Sequence, residues 1–157
     1  MSARLDMFGS PAATRFWKHI IAANKALADS AVPVGTRELM NIRASQINGC
    51  GACLDMHTKE TAAAGETALR LHLVAAWREA TVYTDAERAA LELTEYGTRL
   101  ADAGQGVPDE VWANAAKHYD DEQLADLVAQ IALINAFNRG NVIIRQPSGG
   151  YQVGQAH

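Results

Sequence analysis

The sequence has only two cysteines in 157 residues, and they stand three positions apart as Cys50 and Cys53. A bridge between such near neighbours cannot close a large loop, so the disulfide framework of small secreted domains is excluded. The hydrophobic content of 48% is enough to bury an ordinary core without such bridges. We therefore expect the two thiols to have a chemical rather than a structural role.

Three other absences narrow the class of protein. The chain has 14 basic and 18 acidic residues and no basic stripe, so nucleic acid is not an expected partner. No apolar run reaches the ~20 residues that cross a bilayer, so no membrane partner is expected either. Residues 1–10 lack the basic start and long apolar stretch of a secretion signal, and we expect a cytoplasmic location.

Alternating β-branched residues are nearly absent, whereas apolar residues recur at spacings of three and four, so an all-α fold without a sheet is predicted. We expect one domain over residues 1–157, with a Gly- and Gln-rich tail at 146–157 that is frayed or draped on a neighbour. Breaks and caps predict seven helices, at about 14–28, 35–46, 50–64, 66–80, from 84 onward, 108–118 and 120–144.

A cluster of reactive side chains falls on the third predicted helix. At ~3.6 residues per turn, Cys50, Cys53 and His57 project within about 60° of one another, and the two cysteine Cα atoms lie roughly 5 to 6 Å apart. Side chains lean toward the helix N-terminus, so His57 reaches Cys53 more easily than Cys50. Glu38 on the preceding helix can fold back to orient His57.

This arrangement predicts a redox dithiol. The helix dipole favours a thiolate at Cys50, but the neighbouring base favours Cys53, and only a base can also move protons. We therefore assign Cys53 as the attacking and Cys50 as the resolving cysteine. A zinc site made of Cys50, Cys53, His57 and a fourth ligand such as Glu38 is the less favoured alternative, because no second cysteine pair is present.

The last predicted helix is the most apolar and suggests a subunit interface. Its polar residues Asn135, Asn138 and Arg139 share a face, and buried hydrogen bonds that lock helices together are favoured over a role in lining a pocket. The three tryptophans are interpreted as core or interface anchors: Trp17, Trp77 and Trp112. The other four histidines are interpreted as packed or exposed rings: His19, His72, His118 and His157.

The segment ELMNIRASQINGCGACLDMHTKETAAAGE, residues 38–66, resembles the core of the AhpD-like alkylhydroperoxidase family within the carboxymuconolactone decarboxylase superfamily. Residues 77–79, 84–91 and 134–139 fit the same family, so the resemblance covers about residues 12–145. The chain departs from the best-known peroxidase branch at Ala52, where that branch has a histidine.

The resemblance implies an all-helical homo-oligomer, a trimer or a hexamer, that needs no flavin, haem or metal. It also implies that Cys53 attacks a small organic hydroperoxide, that Cys50 closes the disulfide, and that Glu38 and His57 relay the proton. An external dithiol or redox protein restores the thiols. The alternatives are a thiol-disulfide reductant or electron carrier for a partner peroxidase, and a zinc-holding interaction protein. Lactone decarboxylation is a poor fit, because that branch of the superfamily lacks the dithiol.

Overall fold

The structure is a computed structural model that describes residues 2–102 and 104–155, and within these ranges the chain contains helices and no β-strand. The predicted all-α class is confirmed, and the described residues form the seven predicted helices in the predicted order. They are α1 Pro11–Ala26, α2 Val34–Asn48, α3 Gly51–Ala63, α4 Ala68–Leu73, α5 Asp85–Thr98, α6 Asp109–Ala115 and α7 Asp121–Ile144, with single 3₁₀ turns at Leu27–Asp29 and Val74–Ala76.

Helix α2 lies at the centre of the molecule and is buried on several sides. Met40 belongs to an apolar cluster with Leu127 and Ile131 of α7, while Leu39 belongs to a second cluster with Trp77. Leu39 and Met40 are completely buried, and each such side chain contributes about 2 kcal/mol relative to an exposed one. The two clusters therefore hold α2 between α7 on one side and the segment after α4 on the other.

A tight reversal separates α2 from α3. Gly49 has φ +66° and ψ 31°, the left-handed conformation that favours glycine at a helix C-terminus. The Cys50 N–H donates to the Ser45 carbonyl at 2.9 Å, and the Gly49 N–H donates to that of Gln46. This closure ends α2 and starts α3 two residues later, so the two helices pack side by side.

Polar side chains of α7 join it to α2. Asn48 of α2 donates to Asn135 and to Asn138, both at 2.9 Å, and Asn138 donates to Ser45 at 3.0 Å. The prediction that these amides lock helices together is confirmed. Helix α7 is 24 residues long and apolar enough to cross a membrane by length and composition alone, contrary to our expectation, and the core helices of soluble proteins pass the same test.

Two helices are shorter than predicted. The region expected to form one helix over 66–80 is helical only through Ala76. Beyond it, the Arg88 guanidinium donates hydrogen bonds to the carbonyls of Trp77, Arg78 and Ala80. Helix α6 ends at Ala115 rather than near residue 118. In both places, side-chain or 3₁₀-type hydrogen bonds replace the helical ladder.

Glu95 of α5 is the main buried charge of the core. Its carboxylate accepts hydrogen bonds from Arg43 Nε at 2.7 Å, from the Trp77 indole at 2.9 Å and from Arg78. Burial raises the pKa of Glu95, but the hydrogen bonds from Arg78, Trp77 and Arg43 outweigh it, so this pKa lies below its ordinary value. Glu95 thus connects α2 and α5 to the turn after α4.

We expect Glu95→Gln to lower the free energy of unfolding by about 2 kcal/mol at pH 7, because it removes the charge that pairs with two arginines. Urea denaturation measures the change. The exposed Glu79→Gln is the matched control and should stay within about 0.5 kcal/mol of wild type. Because the folded pKa is lowered, the contribution is full above the ordinary Glu pKa and disappears as the pH falls through the lowered value. Equal stability of wild type and Glu95→Gln at pH 7 would contradict this account.

Candidate active site

Cys50 and Cys53 meet at the start of α3 and are joined as a disulfide, with Cα atoms 5.4 Å apart. This distance agrees with the separation expected from helical spacing. Cys50 is the N-cap residue of α3, and its Sγ accepts the Cys53 N–H at 3.4 Å. Both cysteines are buried, so the pair lies beneath the surface at the end of the helix.

His57 and Glu38 come together as the sequence predicted. His57 Nδ1 lies 2.7 Å from Glu38 Oε2, and the side chains of both residues are largely shielded from solvent. A carboxylate accepts hydrogen bonds, so this contact favours the tautomer in which Nδ1 donates to Glu38 and Nε2 is left as the acceptor. Thr61 donates to the His57 carbonyl at 2.5 Å, which helps to hold this part of α3. Glu38 therefore positions His57 and favours one tautomer.

Two amides that the sequence analysis missed extend this pair into the core. Asn41 donates to Glu38 Oε1 at 3.2 Å and accepts from Gln130 Nε2 at 2.8 Å. Asn41 lies three residues after Glu38 on the same helix face, which was the available sequence signal. Gln130 is on α7 and gave no such signal. The chain of contacts holds the Glu38 carboxylate in one orientation.

A cavity of about 370 Å³ opens beside Cys53 and His57. Its walls come mainly from α1, α3 and α7 and are mostly aliphatic or aromatic, with a few amides. The lining residues are Ile21, Asn24, Asn41, Ala52, Cys53, Met56, His57, Gln130, Leu133, Ile134, Phe137, Asn141 and Tyr151. Cys50 is not among them, so the cavity presents the dithiol from the Cys53 side.

Asn141 is a further residue at the dithiol that the sequence analysis did not identify. Its Nδ2 lies 3.4 Å from Cys53 Sγ and donates toward it. Asn141 comes from the C-terminal part of α7, far from the cysteines in sequence. Ala52, where the peroxidase branch has a histidine, also lines the cavity, so the polar donor beside Cys53 comes from α7 instead.

The C-terminal segment packs along α3 of its own chain, so the expectation of a frayed tail, or one draped on a neighbour, is wrong for residues 149–154. Asp55 accepts the backbone N–H of Gly149 at 2.5 Å and of Tyr151 at 3.0 Å. Lys59 pairs with Asp55 at 2.6 Å, and this hydrogen bond, followed by that from Tyr151, lowers the pKa of Asp55. Tyr151 thereby forms one wall of the cavity.

The other singled-out residues lie outside this cavity. Arg139 lines a separate groove together with Trp112, and Trp77 is buried in the core. Trp17 stacks on Phe137, with ring centroids 6.1 Å apart. The rings of three further histidines are exposed: His19, His72 and His118. Residues 156–157, and with them His157, lie outside the described part of the chain.

The zinc alternative gains no support from the geometry. Cys50 and Cys53 are bonded to each other. Across residues 2–102 and 104–155, no group of three or more His, Cys, Asp or Glu side chains is placed to hold a metal ion.

Comparisons with known proteins agree on one family. A model of the carboxymuconolactone decarboxylase family matches residues 11–96, just over half of the chain. YdfG of Bacillus subtilis, an uncharacterized protein, is 43% identical over 122 residues, which cover 78% of this chain and 82% of YdfG.

Solved structures share the fold. A protein of unknown function from Agrobacterium tumefaciens, suggested to be the antioxidant defence protein AhpD, is 31% identical with a TM-score of 0.87, and the match covers 96% of this chain and 100% of that one. An uncharacterized peroxidase-related protein from Silicibacter has a TM-score of 0.76 at 21% identity, with 92% and 75% covered. This second likeness concerns the fold alone.

We expect His57→Gln to slow alkylation of Cys53 by iodoacetamide in the reduced protein by about tenfold at pH 7, because no adjacent base then takes the thiol proton. Peptide mass mapping distinguishes Cys53 from Cys50. His72→Gln, which changes an exposed histidine on α4, is the matched control and should alkylate like wild type. If both variants react alike, His57 does not activate Cys53.

Proposed function

The chain belongs to the carboxymuconolactone decarboxylase family as an AhpD-like member, and from this we propose that it is a peroxidase that reduces organic hydroperoxides with Cys53 and Cys50. The observation that carries the proposal is the shared cavity of Cys53 and His57, in which Glu38 holds His57 at 2.7 Å. A nucleophilic thiol beside an oriented base is the arrangement that covalent catalysis by cysteine requires.

The cycle starts with proton transfer from the Cys53 thiol to His57. The thiolate attacks the terminal oxygen of the hydroperoxide, the O–O bond breaks, and the leaving alkoxide takes the proton from His57. Cys53 is now a sulfenic acid. The Cys50 thiolate attacks Cys53 Sγ, the S–S bond forms, and hydroxide leaves as water with the proton from Cys50. One hydroperoxide and two thiols thus give one alcohol, one water and one disulfide.

The distance between the two cysteines suits the second step, the formation of the disulfide. Cys50 and Cys53 have Cα atoms 5.4 Å apart, within the range that a disulfide accepts. Before oxidation, Asn141 lies where its amide stabilises a thiolate at Cys53. The attacking sulfur therefore has a base and a hydrogen-bond donor on the same side, and the resolving sulfur is held at the N-cap.

The cavity supports a small organic substrate. Its volume of about 370 Å³ lies near the lower end of the ~300 to 1,000 Å³ typical of small-molecule sites. Leu133, Ile134 and Phe137 offer apolar walls to the organic part, while the amides and His57 surround the peroxide group. An external thiol supplies the electrons, and we place the cycle in the cytoplasm, where thiols stay reduced.

We expect the fully reduced wild type to lose two hydrogens in intact-mass spectra after one equivalent of cumene hydroperoxide, as Cys50 joins Cys53. Cys50→Ser should stop after one turnover with one added oxygen on Cys53, because no resolving thiol remains. Cys53→Ser is the matched variant and should leave the hydroperoxide unconsumed. Consumption by Cys53→Ser at the wild-type rate would overturn the proposal.

A different outcome identifies the runner-up. Thiols that stay reduced with hydroperoxide but exchange with an oxidised protein disulfide would make the chain a thiol-disulfide reductant or electron carrier for a partner peroxidase. A mixed disulfide trapped with Cys50→Ser or Cys53→Ser would name that partner.

We also propose a homo-oligomer, a trimer or a hexamer. Helix α1 has no buried residue in the single chain, although Phe16 on it is apolar and 53% exposed. A groove of about 620 Å³ beside α7 is almost wholly apolar, and Leu100 and Trp112 at its edge are 57% and 44% exposed. Exposed apolar surface of this kind marks protein interfaces.

Sedimentation equilibrium at micromolar concentration should give three or six times the chain mass of 16.9 kDa. Trp112→Glu places a charge in the groove and should lower the mass. Val34→Glu, at a 65% exposed residue outside the groove, is the control and should leave it unchanged. A wild type that sediments as a single chain would refute the oligomer, and an unaffected Trp112→Glu would place the interface elsewhere.

A further inference from the structure

The disulfide has a second opening, on the Cys50 side. A cavity of about 290 Å³ is lined by Gly49, Cys50, Gly51, Ala52, Asn141, Val142, Arg145 and Gln146. Cys50 lines this opening but not the cavity described above, and Cys53 lines that cavity but not this opening. Ala52 and Asn141 border both. The dithiol therefore borders two spaces, and one of its two cysteines lines each of them.

The two spaces differ in chemistry. The Cys53 cavity combines aliphatic and aromatic walls with amides and His57, whereas the Cys50 opening is lined by small residues, Val142, two amides and the Arg145 guanidinium. Arg145 is the cationic residue of this second opening. It is exposed, and none of the ion pairs within residues 2–102 and 104–155 involves it. Its charge is therefore free for an anionic ligand.

Arg145 also has an unusual backbone. It is the C-cap residue of α7 with φ 56° and ψ 51°, and among the described residues it is the only non-glycine with positive φ. Glycine is the residue that normally takes this position at a helix end. Such outliers concentrate at binding and catalytic sites. Because residue 145 is an arginine and not a glycine, this strained position supplies a cationic side chain to the opening.

We propose that the Cys50 opening binds the reductant, a small thiol that carries a carboxylate, and that Arg145 pairs with this carboxylate while the thiolate attacks Cys50 Sγ. The inference deepens the proposed peroxidase by giving its second substrate a site of its own. A hydroperoxide and a thiol then reach the dithiol through different openings and do not compete for one cavity.

The reduction balances as follows. The reductant thiolate forms a bond to Cys50 Sγ, the Cys50–Cys53 bond breaks, and the electron pair leaves on Cys53 Sγ. Asn141 donates to this sulfur at 3.4 Å, and His57 in the same cavity passes to it the proton that the reductant thiol released. A second thiolate attacks the reductant sulfur of the mixed disulfide and frees Cys50, which takes up the proton that the second thiol released. Two thiols become one disulfide, and the protein regains two thiols.

The test uses the full-length protein oxidised with diamide, so that no hydroperoxide is needed. Its reduction by glutathione, which is anionic, and by cysteamine, which is cationic, is followed by iodoacetamide quenching and intact mass. Rates are expressed per thiolate to remove differences in thiol acidity. Wild type should prefer glutathione, and added salt should weaken that preference, because screening acts on exposed charges.

Arg145→Glu should lower the ratio of the glutathione rate to the cysteamine rate by about tenfold or more, since one exposed charge is reversed near the ligand. Arg145→Lys should keep most of the ratio. Arg145→Gly removes the charge and relieves the backbone, so it should melt no earlier than wild type and still lose the preference. Arg99→Glu, an exposed charge reversal that lines neither opening, should behave as wild type.

Fragment mass spectra of the quenched reaction locate the mixed disulfide. Glutathione on Cys50 with alkylated Cys53 supports the proposal, and glutathione on Cys53 overturns it. A ratio that does not change in Arg145→Glu and Arg145→Gly also overturns it. Oxidation of the reduced protein by cumene hydroperoxide is measured separately, so a failure of the peroxidase proposal is seen apart from a failure of this one.

Discussion

One left-handed residue, Gly49, sets the geometry on which the candidate site depends. A β-carbon at this position would meet no atom within 4 Å, so the constraint on residue 49 is backbone conformation and not space. With φ at +66°, α2 closes through the Cys50 N–H and α3 begins at once. Cys50 becomes the N-cap, and α3 runs back along α2 until His57 stands opposite Glu38. Any other direction for α3 would separate the base from the carboxylate that orients it.

The same packing joins the site to the core. Asn41 donates to Glu38 and accepts from Gln130 of α7. Asn141, also of α7, donates toward Cys53. Buried amides of this kind must be paired, and each pair admits few arrangements. The position of α7 against α2 therefore decides both the stability of the bundle and the environment of Cys53. A helix that looks from its composition like plain apolar core has a polar face that reaches Cys53.

Much of this was predictable from local patterns. The caps at Thr84 and Asp120, the break at Gly49 and the spacing of the cysteines and His57 are short-range signals, and the structure follows each of them. The features that were missed depend on contacts beyond a single helical turn. Arg88 donates to the carbonyls after α4 from 8 to 11 residues away, and Asn141 reaches Cys53 from 88 residues away. Helical periodicity describes which face is apolar, but it does not say which distant side chain will arrive there.

The wall formed by Tyr151 has an evolutionary consequence. Asp55 holds the tail through backbone N–H groups of Gly149 and Tyr151, and a backbone donor is present for any residue other than proline. The Tyr151 side chain adds one hydrogen bond, from its hydroxyl to Glu60. Other side chains at position 151 would keep the two backbone contacts with Asp55 and would change the shape of the cavity. In evolution, the cavity can therefore change at this position while Cys53 and His57 stay as they are.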